Sequence, residues 1–175
     1  MSVNSQFRSL IRAIEQYENL LKEVSEETFT QNPPDGGWSY SETFSHIFQA
    51  NLGCLIAVEK CFIGTGTLSE KRTGWGVWAI LFLGRLPPGK FKAPERLASM
   101  VKKLSREEAA NLIVKFRSRL TDLKNKVDKA DKYQKIKHPR LGLLNARQWL
   151  RFIEIHTIHH TRQLKRIKNQ LRMES

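Results

Sequence analysis

Cysteine is nearly absent from this chain of 175 residues: Cys54 and Cys61 are its only two. They lie seven positions apart in one expected helix, so about 10 Å of rise separates them. A disulfide needs Cα atoms within about 7 Å, so both are expected to be reduced core thiols, which argues against a disulfide-stapled secreted scaffold. No apolar run approaches the roughly 20 residues of a membrane helix, and no membrane partner is expected. The leading "MSVNSQFRSL" lacks the apolar core of a signal peptide, so the expected compartment is the cytoplasm. Strand-forming runs are scarce. Internal repeats and low-complexity tracts are missing, which excludes a solenoid. Acidic residues are few as well: 17 Asp and Glu stand against 30 Lys and Arg, for a net charge of +13.

That charge invites a nucleic-acid reading, but its distribution argues against one. "KNKVDKADKYQKIKHPR" at 125–140 is expected to be a loop region, and "KRIKNQLR" at 165–172 closes a helix, where cations complement the macrodipole. A basic nucleic-acid-binding bundle needs its cations on one face with aromatics interleaved. The aromatics expected at the surface fall in 75–91 instead, away from the Lys runs.

What the chain does have is helical periodicity and enough apolar residues, 40%, for one domain over residues 1–175 with its own core. Phe7, Leu10, Ile11, Ile14, Tyr17, Leu21 and Val24 recur at three- and four-residue spacing and predict a first helix over about 4–31, stopped by "NPPDGGW". "SYSE" is a capping box that starts a second helix at Ser39, running to about Gly64. "SREE" starts a third at Ser105, running to about Val127. "NARQ" starts a fourth at Asn145, running to about Leu171. The expected fold is all-α, a four-helix bundle with a long irregular insertion at 65–104 between helices two and three. Within it, Trp75 to Leu83 predicts a short apolar helix ended by Pro87, Pro88 and Gly89. Forty residues exceed a simple bundle connection, so the insertion is expected to be a lid, a subunit contact or extra core.

The stretch "FIEIHTIHHTRQL" puts three of five histidines where a helix should turn toward the core. On a wheel of about 100° per residue, Trp149, Phe152, His156, His160, Gln163 and Ile167 fall within about 40° of His156, and His159 sits about 60° to one side. Imidazoles at i and i+4 can converge on one ion. Buried without a partner they are costly, and side by side they cannot both be protonated. A divalent metal satisfies both. His46 is the candidate third ligand. It shares a face of helix two with Glu42, Gln49, Ala50, Gly53 and Ala57, which are small or polar and leave room for a cavity. Cys54 is two turns away and a poor ligand for the same ion. His138, in "KHPRLG", is expected in a surface loop near the mouth of the site.

"GWSYSETFSHIFQAN", followed far downstream by "HPRLGLLNARQWLRFIEIHTIHHTRQL", resembles the DinB/YfiT-like superfamily of metal-dependent enzymes over about half of the chain, at both ends but not at 65–104. The resemblance implies a helical bundle with a three-histidine site holding zinc, nickel or a similar ion, often in a homodimer. Carried over position by position, it implies His46, His156 and His160 as ligands. It makes His159 a packing or outer residue, and has Gln163 orient His160 or a bound water.

Three neutral imidazoles leave the ion its full charge and an open position, as in catalytic zinc sites. Two enzyme readings follow: water activated for attack on an ester, amide or similar bond, or a low-molecular-weight thiol activated for transfer to an electrophile. The latter also follows relatives implied by the resemblance. A non-catalytic bundle that binds a metal or small ligand is the alternative. A zincin is not expected, because Thr157 rather than Glu follows His156. Glu42 is the carboxylate one turn before His46, but its capping box accounts for it, and Glu154 lies about 160° from His156. No catalytic base is assigned, and the substrate is not legible.

Overall fold

The structure is a computed structural model in which residues 2–87 and 101–172 are described. Its elements are α1 (Val3–Glu23), α2 (Glu26–Thr30), α3 (Tyr40–Phe62), β1 (Thr67–Leu68), α4 (Trp75–Leu83), α5 (Arg106–Leu123), a 3-10 turn (Val127–Lys129), β2 (Gln134–His138), β3 (Gly142–Asn145) and α6 (Ala146–Arg172). The expected first helix is two. Val24 and Ser25 leave helical geometry, and the Ser25 hydroxyl accepts from Thr28 N to start α2, with Glu26 and Glu27 in its first turn. The capping boxes at Ser39 and Ser105 form as expected. At the start of α6, Asn145 Oδ1 accepts from Gln148 N while Gln148 Oε1 accepts from Asn145 N.

Side-chain contacts fix how the four long helices run. Tyr17 reaches Thr157 and Glu23 reaches Lys168, so α1 and α6 are parallel. Asn51 meets Thr157 and Thr43 meets Gln163, so α3 opposes α6. Ser41 bonds Leu104 and Glu59 bonds Arg119, so α3 and α5 are parallel. Around the bundle the order is α1, α6, α3, α5. This arrangement explains the long insertion. A 23-residue helix is about 35 Å long, and the chain leaving α3 must return that whole distance to enter its parallel neighbour α5.

The core is aromatic at its centre. Tyr17 packs edge-on against Phe44 and Phe48, and Phe44 against Phe29. All four rings are fully buried. Cys54 and Cys61 are buried and free, as expected.

Gln134–His138, within the stretch expected as loop, pairs with Gly142–Asn145 in an antiparallel hairpin. β2 pairs with β3 in the register Lys135↔Asn145 to His138↔Gly142, and β1 pairs with the other edge of β2. Leu144 is fully buried and its carbonyl takes the Cys61 thiol, so the small sheet closes the end of the bundle where α3 stops and α6 begins. Gly142 has φ 73°, the left-handed value that lets the chain leave the turn.

The short apolar helix at Trp75–Leu83 is present as α4. It ends at Gly84 (φ 68°) rather than at the prolines; a Cβ there would collide with the Arg151 guanidinium. Pro88 and Gly89 lie outside the described residues, as does the rest of the insertion from 88 to 100. Arg151 donates to the Leu81 carbonyl at 2.8 Å and pairs with buried Glu154 at 2.6 Å, pinning the end of α4 to α6. Among the described residues, no helix is long and apolar enough to cross a membrane.

Candidate metal centre

Three histidines from two helices meet between α3 and α6. One ring nitrogen from each of His46, His156 and His160 lies within 4.8 Å of the others. The ring centroids are 5.3 Å apart for His46–His156, 5.0 Å for His46–His160 and 4.6 Å for His156–His160. The i, i+4 spacing stacks the α6 pair, and the antiparallel packing of α3 brings His46 to their level.

Hydrogen bonds decide which nitrogen each α6 imidazole presents. The Thr157 hydroxyl donates to the Ile153 carbonyl at 2.7 Å, so its lone pairs face Asn51. Asn51 Nδ2 donates to that hydroxyl at 2.9 Å, which turns Asn51 Oδ1 toward His156 Nδ1, also at 2.9 Å. A carboxamide oxygen only accepts, so the proton of His156 sits on Nδ1 and its Nε2 carries a lone pair. His160 is held in the same way. Gln163 Nε2 faces the Thr43 hydroxyl at 3.5 Å, and Gln163 Oε1 takes the Nδ1 proton of His160 at 2.7 Å. The two Nε2 atoms then stand 3.1 Å apart.

Two lone pairs at that distance repel unless a proton or a cation lies between them. A proton is disfavoured. Burial, and then the neighbouring imidazoles, hold His156 well below the usual histidine range. Burial, with the charge of His46 next, takes His160 down to about 3, and burial takes His46 to about 4. His46 Nδ1 is moreover buried with no hydrogen-bond partner among the described residues. A divalent cation fits this donor set. Bonds of about 2.0–2.1 Å to imidazole in a tetrahedral site put the nitrogens about 3.3 Å apart, close to the Nε2–Nε2 separation observed.

The other expected site residues take different places. His159 is half-buried at the edge, its ring 5.2 Å from His160 and outside the converging group. Gln49 donates to the Ser45 hydroxyl at 2.7 Å on the α3 lip. Glu42 is engaged in the capping box, accepting from Ser39 N, Ser39 Oγ and Asn32 Nδ2. Burial raises its pKa, but these hydrogen bonds and the charge of Lys103 outweigh that and lower it. Burial raises the Cys54 thiol to about 12, and the three-histidine group does not include it.

His138 closes β2 rather than sitting in a loop. Its Nδ1 accepts from Arg140 N and Leu141 N, and its ring packs on Trp149 and Phe152. Phe152 in turn stacks on His156 at 5.7 Å. Trp38 covers His46 from the other side at 5.2 Å.

Asn51 and Thr157 were not anticipated. The signal was present: Asn51 is a lone carboxamide among Ile47, Cys54, Leu55 and Val58, and a polar group on such a face must find a partner.

The model of one protein family, the DinB superfamily, matches residues 9–164. The chain belongs to the DinB superfamily. No curated protein matches its sequence. Two solved structures share the DinB-like fold. TT2238, a four-helix bundle protein, is 20% identical with a TM-score of 0.62, over 94% of this chain and 98% of its own. YfiT from Bacillus subtilis is 11% identical with a TM-score of 0.64, over 98% of this chain and 90% of its own. YfiT is described as a probable metal-dependent hydrolase with an unusual four-helix bundle topology.

Proposed function

We propose that this DinB-superfamily protein is a metal-dependent hydrolase whose divalent ion is held by His46, His156 and His160. The observation that carries this is the pair of Nε2 atoms 3.1 Å apart, with both Nδ1 protons committed to carboxamides. The description of YfiT supports the reaction class by analogy of fold. When bound, such an ion polarises a substrate oxygen and acidifies water. The chain's own contribution is positional. Asn51 and Gln163 hold the imidazoles in register, Trp38 and Phe152 wall the group with apolar rings, and the low proton affinity of the imidazoles keeps their lone pairs available at neutral pH. Zinc and nickel suit three imidazoles equally well in donor type.

A second reading is favoured by one observation. No carboxylate belongs to the converging group among the described residues. Hydrolysis gains from a general base, whereas an ion held by His46, His156 and His160 would acidify a small thiol enough for its proton to pass to solvent, with no base required. On this reading the protein transfers a low-molecular-weight thiol to an electrophile.

The test is a paired screen of the zinc- and nickel-loaded protein. Ester and amide turnover that vanishes in His160→Ala supports the hydrolase. Thiol-dependent loss of an electrophile with no ester or amide turnover supports the transferase. Tight metal uptake with neither activity supports a non-catalytic ligand-binding bundle.

A further inference from the structure

The three-histidine group has a cationic rim on its α6 side. His159, Gln163 and Arg166 fall within about 60° of one another on the α6 wheel, on the flank where Gln163 faces Thr43 of α3. Helical side chains lean toward the N-terminus, so a long side chain at Arg166 lies over Gln163, one turn back, and points toward His159. Its charge is felt at both His159 and His160, and that of Arg162 at His159.

Lys168 pairs with Glu23 at 3.3 Å, and Arg147 with Asp128 at 2.8 Å. Among the described residues, Arg162 and Arg166 are both exposed and form no ion pair. Glu42, the carboxylate one turn before His46, is tied to Ser39 and Asn32. Arg166, about 80° from His156 on the wheel, thus stands at the edge of a neutral donor set that would leave a divalent ion's charge uncompensated, while Arg162, about 120° from His156, lies further round the helix beside His159.

We propose that the site takes a small substrate bearing a carboxylate or phosphate, and that Arg166, with Arg162 behind it, holds this anionic group on the α6 rim. The proposal rests on the metal-centre reading above. A guanidinium fork matches both oxyanions in geometry. The net charge of +13 adds long-range attraction for anions, strongest at low salt.

The test uses the full chain loaded with zinc and binding by calorimetry, with no reliance on turnover. The probes are matched pairs: succinate, glutarate and adipate against butyrate, pentanoate and hexanoate. One carboxylate can meet the ion while the second, present only in the diacids, reaches the rim. At least one diacid should bind about tenfold more tightly than its monoacid partner at low salt. Arg166→Gln should erase that preference while zinc stoichiometry and circular dichroism stay at wild-type values. Arg162→Gln should reduce it less. Equal binding within every pair in the wild type, or a preference that survives in Arg166→Gln, overturns the proposal. A wild-type chain that takes up no zinc overturns the metal-centre reading first, and this proposal with it.

Discussion

Asn51 Oδ1 takes the Nδ1 proton of His156 at 2.9 Å, and this contact fixes the tautomer of an imidazole on another helix. Asn51→Leu removes the acceptor and leaves a buried N–H unpaired. Outer partners of metal-binding histidines are worth about 10–100-fold in affinity, so metal affinity should fall by about that factor, and the metal-free protein should lose about 1–3 kcal/mol of stability. Competition with a chromophoric chelator reads the first effect and urea unfolding the second. Wild-type affinity in Asn51→Leu would mean that the His156 tautomer does not depend on Asn51.

The bundle should survive metal removal. Its core is continuous from Phe7 through Tyr17, Phe44, Phe48 and Phe116 to Ile153 without drawing on the histidines, unlike a zinc finger, in which metal binding is the folding energy. Far-ultraviolet circular dichroism should therefore be unchanged after chelation. Loss of the helical signal would show that the ion is structural.

The metal-free protein should become less stable as pH falls below the ordinary histidine value of 6.5. His46 and His160 have folded pKa values of about 4 and about 3, lowered first by burial. Between 6.5 and those values the unfolded chain binds protons that the folded chain refuses. Each such imidazole then removes up to about 1.4 kcal/mol per pH unit. Above 6.5 both states are neutral and the effect is absent. His138, also near 4 from burial and the charge of Arg140, is partly exposed, as is His46, so both contribute less than buried His160. Urea midpoints of chelated protein measured from pH 8 to pH 4.5 should be flat and then fall. A flat profile throughout would mean that the histidines are solvated.

Much of this architecture was legible because its signals are local. Ser39, Ser105 and Asn145 each announce a helix start with a partner three residues on, and each capping pair forms. The i, i+4 spacing of His156 and His160 on an apolar stripe identified the convergence, and His46 joined them. The hairpin was not legible. "QKIKH" is short and lysine-rich, and its pairing with "GLLN" depends on contacts with the end of α3 that no local pattern encodes. The break at Val24 was hidden because Phe29 keeps an apolar residue in step with the stripe of α1. Asn51 was overlooked because its partners, His156 and Thr157, lie more than a hundred residues away.

The apolar face of α4 is the surface we propose for a homodimer contact. Trp75, Trp78 and Phe82 expose 86%, 57% and 69% of their surfaces, and Trp78 stacks on Phe82 at 4.9 Å. Exposed patches of this kind mark contact surfaces. Trp78→Lys should shift sedimentation toward monomer with metal content unchanged. An unaltered sedimentation coefficient in the variant would place any subunit contact elsewhere.

The central claim is that His46, His156 and His160 hold one divalent ion. The most direct measurement is elemental analysis of protein purified without an affinity tag, wild type beside four single variants. About one zinc or nickel per chain is expected in the wild type. His46→Ala, His156→Ala and His160→Ala should each abolish tight binding, whereas His159→Ala, outside the converging group, should only weaken it. A wild type that retains no metal after reloading and desalting, or equal loss in all four variants, would contradict the assignment.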